Sequence, residues 1–136
     1  MRIGLVFLLA ACATPPTAMR VIVEPPAYSV TMSSTLGVGL TPVSEQPPGM
    51  KVRYRWTADA GYFLAQKEST AEILDFGRET VTQGGKLFWS YDSNEKAAIE
   101  RAPVAISVVT ESLKGKTLAR TDLRLEWDGP MIRLAH

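Results

Sequence analysis

A single cysteine, Cys12, and a single histidine, His136 at the very end, are all that 136 residues supply of these two reactive side chains. Zinc clusters, thiol–imidazole pairs and Ser/His/Asp triads therefore lack their parts, and neither a metal nor a cofactor is expected. Charge of one sign is also missing: 15 basic residues face 14 acidic ones, for a formal net charge of +1. No bulk field draws the chain to nucleic acid. The longest apolar run, Ile3 to Ala11, has nine residues, far short of the roughly 20 needed to cross a bilayer as a helix. What is present, 46% apolar and 21% charged residues, is the composition of one globular domain.

That nine-residue run stands behind one positive charge, Arg2, and falls within the about 7–15 residues of a signal-peptide apolar region. It ends in Leu9-Ala10-Ala11-Cys12, followed by the Pro/Thr/Ala stretch Ala13 to Ala18, which cannot continue a helix. The four residues resemble the lipobox of bacterial lipoprotein precursors: a leucine, two small residues that fit the signal peptidase, and the cysteine whose thiol takes the lipid. The resemblance implies a signal peptide over 1–11, lipidation at Cys12, a tether over 12–19 and a folded domain over 20–136. Loss of Arg2 then leaves 14 basic against 14 acidic residues. With Ala13 rather than Asp after the cysteine, the expected location in a two-membrane bacterium is the outer membrane, facing the periplasm.

Beyond the tether the pattern has a period of two. From Tyr28 to Leu40, Tyr28, Val30, Met32, Leu36, Val38 and Leu40 alternate with small or polar residues, which predicts one long strand bent near Gly37 or Gly39. Thr41 to Gly49, with three prolines, reads as a loop, and that loop is an expected contact surface. Val52, Tyr54 and Trp56 share one face of the next strand, with Lys51, Arg53 and Arg55 on the other. Leu87, Trp89 and Tyr91 share a face, as do Leu123, Leu125 and Trp127, and Val104 to Val109 is a further strand. Asp92 to Arg101 carries the only helical signal. Asp92 and Glu95 have capping-box spacing, and Pro103 ends the segment. The prediction is an all-β, immunoglobulin-like antiparallel β-sandwich of about seven strands with one short helical turn. Val52-x-Tyr54-x-Trp56 followed by Gly61-x-Phe63 resembles the third-strand region of bacterial immunoglobulin-like or PKD-type domains, which implies that Trp56 plugs the space between two sheets.

Candidate chemistry is sparse. Asp59 with Asp75 or Asp92 would make a carboxylate pair of the glycosidase kind, and Trp89 and Trp127 would make stacking platforms for a sugar, although both also fit inward strand positions. Arg53 and Arg55, with Arg120 and Arg124, would line an outer sheet face as an anion or partner patch, unless Asp122 and Glu126 neutralise it. The expected function is that of a lipid-anchored, non-catalytic cell-envelope module that binds a protein partner or cell-wall glycan. The alternative is a small carbohydrate-binding or hydrolytic lipoprotein.

Overall fold

The computed structural model describes residues 18–135, so Cys12 and the lipobox lie outside the described residues. The fold is an all-β, immunoglobulin-like sandwich of two antiparallel sheets. One sheet has five strands: β1 (Ala18–Val23), β3 (Val38–Glu45), β8 (Leu87–Ser90), β5 (Tyr62–Gln66) and β6 (Ile73–Gly77), in that spatial order. The other has six: β2 (Ala27–Tyr28), β11 (Met131–Leu134), β10 (Thr117–Asp128), β9 (Val104–Ser112), β4 (Val52–Ala58) and β7 (Glu79–Thr82). Among the described residues one short helix, α1 (Lys96–Glu100), closes one end.

Two sheet-switching segments account for much of the excess over seven strands. The chain leaves β1 in one sheet and enters β2 in the other across Glu24–Pro26, and it leaves β6 for β7 at Gly77 and Arg78. Each switch turns one run of residues into two short strands and spans a lateral side of the sandwich, so the four edge strands are β1, β2, β6 and β7.

The interior is where the alternation points. Val38, Leu40, Trp56, Phe63, Val108, Leu125 and Ile132 are fully buried, with Trp89, Val104 and Ile106 nearly so. Burying an aromatic side chain of this size is worth several kcal/mol at about 25 cal/mol per Å². Trp56 has no exposed surface and sits 5.9 Å from the Phe63 ring across the sandwich. The indole N–H groups are not left unpaired: Trp56 donates to Thr82 Oγ1 at 3.1 Å, and Trp89 donates to the Ala60 carbonyl at 2.8 Å. Gly61 is needed beneath Trp89. Its φ is +74°, and a Cβ there would collide with the Ser90 carbonyl and the Trp89 ring.

Four expectations need correction. The stretch from Tyr28 to Leu40 is two strands in different sheets, because Ser29, Thr31 and Thr35 spend their hydroxyls on local turns instead of leaving the backbone to a ladder. Thr41 to Glu45 continues β3; the loop is only Gln46 to Lys51. Pro42 is tolerated in β3 because β8 pairs only with Val38 to Leu40, which leaves that side of β3 without a ladder partner at residue 42. β1 covers Ala18 and Met19, the last two residues of the expected tether, and Met19 packs against the core. No capping box forms: the side chain of Glu95 accepts from the Gly61 N–H at 2.7 Å, that of Asp92 accepts from Tyr62, and α1 has no side-chain cap.

Candidate functional site

The outer face of the six-stranded sheet holds Arg53 and Arg55, and it is closed by its own charges. Register places Arg53 opposite Glu111, and Arg55 opposite Val109 two residues away on the same face. The Glu111 carboxylate, only 9% exposed, accepts from Arg53 Nε at 2.9 Å and from Arg55 Nε at 3.1 Å. The hydrogen bond from Arg55, and then the one from Arg53, hold the Glu111 carboxyl below its ordinary range against the opposing effect of burial. Arg120 pairs with Asp122 at 3.1 Å and Arg124 with Glu126 at 3.3 Å, each two residues along β10. The four arginines thus lie on one sheet face, but each has a carboxylate partner, and the anion patch is not formed.

The tryptophan candidates are likewise engaged. Trp89 is 1% exposed and offers no ring face to a ligand. Trp127 is half-buried, donates to the Ala102 carbonyl at 2.9 Å and meets Tyr91 edge-on with ring centroids 5.0 Å apart. Tyr91 stacks in turn on Trp89 and contacts Tyr28, so this group staples the helix end of the sandwich. Asp59, Asp75 and Asp92 are separate acceptors, for the Ala105 N–H, the Gly77 N–H and the Tyr62 hydroxyl. Asp59 lines a hollow of about 370 Å³ with Arg78, Glu95 and Glu100, in which neither Asp75 nor Asp92 takes part. Among the described residues, no group of three or more His, Cys, Asp or Glu is placed to hold a metal ion.

A larger concavity lies elsewhere, on the outer face of the five-stranded sheet. It is an open cleft of about 500 Å³ between the Met32–Leu36 segment, Gln66 at the end of β5, and Lys86 and Phe88 of the β8 region. Phe88 points outward because its neighbours Leu87 and Trp89 point inward. The Lys86 ammonium sits 5.1 Å from the centroid of its ring. Opposite Phe88 in the register is Gly39, where a Cβ would strike the Glu24 carbonyl and the Lys86 stem. The lining combines one aromatic ring, one ammonium, one amide and the hydroxyls of Ser33, Ser34 and Thr35. Such a surface suits a ligand that has an apolar face and a hydroxylated rim. Phe88 was legible in the alternation of Leu87-Phe88-Trp89 as the outward aromatic. The hydroxyl-bearing loop was not, since it read as strand.

Compared with known proteins, the chain matches no protein-family model and no curated protein.

Proposed function

We propose that the chain is a lipid-anchored, non-catalytic module of the bacterial cell envelope that binds cell-wall glycan through the cleft over Phe88. The cleft carries this reading: hydrogen-bonding side chains surround a half-buried, outward-facing aromatic, and Lys86 is the only charged lining residue among the described residues. Pyranose rings offer an apolar face for an aromatic and hydroxyls for Gln66, Ser33 and Ser34. A hydrolytic role draws no support there, because among the described residues the lining includes neither a carboxylate nor an imidazole. The lipobox residues Leu9 to Cys12 support the anchor, and Ala13 supports the outer membrane where the source has two.

The test has two arms. In a bacterial host, wild-type chain should incorporate labelled fatty acid and Cys12→Ser should not; no label in the wild type overturns the anchor. The chain from Cys12 onward should pellet with purified, protein-free cell wall, and Phe88→Ala should lose most of that retention. Failure of the wild type to pellet overturns the glycan reading.

A protein partner is favoured by a different observation. Ile22 on β1, Ile73 on β6 and Val81 on β7 are 43%, 51% and 44% exposed, all on edge strands with one side unpaired among the described residues. Strand addition at such an edge would cover apolar side chains and satisfy backbone groups together. Crosslinks from these three positions to a protein, unaffected by Phe88→Ala, would favour this second reading.

A further inference from the structure

Ala18, the first described residue, opens β1 and marks the entry end, and the ladder fixes which loops surround that point. Ala18 pairs with Glu45, the last residue of β3, so the β3–β4 loop from Gln46 to Lys51 begins beside it. Val52, the first residue of β4, pairs with Ser112 at the end of β9, which brings the β9–β10 turn from Leu113 to Lys116 to the same end. Met19 meets Thr110, and Ser44 meets the Tyr54 hydroxyl at 2.6 Å, so the two sheets are closed on each other here.

At this end Met50 and Leu113, in the two loops, are 36% and 55% exposed. Lys51, Lys114 and Lys116 around them are exposed, and none forms an ion pair among the described residues. Glu45 and the already paired Glu111 are the acids nearby. Exposed apolar side chains beside unpaired ammonium groups match the interfacial zone of an anionic bilayer, where methylenes and lipid phosphates are both at hand.

Reach decides whether a bilayer is available. Only residues 13–17 separate Cys12 from Ala18, and a chain of that length spans at most about 20 Å. The 12-residue strand β10 is itself about 40 Å long at 3.3 Å per residue. A lipid on Cys12 therefore holds the entry end near the headgroups while α1 and the opposite loops stand away, and the lysines work within about 8 Å of the surface. We propose that the entry end of the sandwich is a membrane-seating surface, with Met50 and Leu113 in the interface and Lys51, Lys114 and Lys116 over anionic lipid phosphates. The proposal rests on the lipid-anchor reading.

The test couples the chain from Cys12 onward, which contains all of the described fold, through the Cys12 thiol to a maleimide lipid. The vesicles are phosphatidylcholine with or without phosphatidylglycerol. Amine acetylation read by mass spectrometry then reports each lysine, and Lys96 on α1 serves as the internal reference. On anionic vesicles, acetylation of Lys51, Lys114 and Lys116 should fall about fivefold or more relative to Lys96, with Met50 protected from peroxide, and high salt should reverse the lysine effect. Equal rates at all four lysines, or protection of Lys96 instead, overturns the proposal. Protection that requires membrane proteins rather than phosphatidylglycerol overturns it too and assigns the surface to a protein. Chemical coupling bypasses lipidation in the cell, so failure of the anchor reading registers separately, as absent fatty-acid incorporation.

Discussion

The two outer faces of the sandwich are built from the same alternation and end in opposite states. On the six-stranded sheet, four arginines meet Glu111, Asp122 and Glu126 within 3.3 Å, and long side chains that are already paired have little left for a partner. On the five-stranded sheet, small residues and a folded-back loop leave a cleft of about 500 Å³, whose ammonium rests over a ring rather than on a carboxylate. A charged face is thus the poorer candidate for binding here, because the register supplied its counter-charges from within. Concavity and unpaired groups mark the better one.

The contrast presupposes one interior that holds both sheets, and the largest expected effects fall there. Trp56→Ala should cost about 3–5 kcal/mol in urea unfolding, since its ring is wholly buried against Phe63; a cost below about 1 kcal/mol would place that face in solvent. Gly61→Ala should cost about 1–3 kcal/mol from the left-handed backbone alone, with the clash against Trp89 and Ser90 added. A neutral result would mean that the Trp89 side of the interior is loose.

The closed face is sharpened by pH. The hydrogen bonds from Arg55 and Arg53 hold the folded-state Glu111 carboxyl below its ordinary range, so it binds its proton less readily folded than unfolded. Its stabilising contribution is full above the unfolded pKa and is lost as pH falls through the folded one. The stability gap between wild type and Glu111→Gln should be constant near neutrality and shrink below about pH 4.5. A gap independent of pH down to pH 3 would assign the loss to shape rather than charge. The smallest effect belongs to the open face: Lys86→Gln should shift stability by less than about 0.5 kcal/mol while altering ligand retention. A large stability loss would make the Lys86–Phe88 contact structural and weaken the contrast.

Alternation by itself determined the strands around Trp56, Trp89 and Trp127 and which of their side chains point inward, because a period of two is a property of adjacent residues and survives any arrangement of the strands. The same alternation determined the β class, and composition determined the scarcity of catalytic parts. Which strands neighbour one another is not local. The partnership of Glu111 with Arg53 and Arg55 depends on a register between residues more than 50 positions apart. Pro42 lies in a strand only because β8 stops at Leu87. The segment Ser29 to Gly37 carries strand alternation in its sequence, yet its hydroxyls and the crossing from one sheet to the other make it a loop. The cleft that this loop walls, and the gathering of Met50, Leu113 and three lysines beside Ala18, came from strand pairing. Tertiary structure decided them because ladder hydrogen bonds and burial act between residues that the linear chain keeps apart.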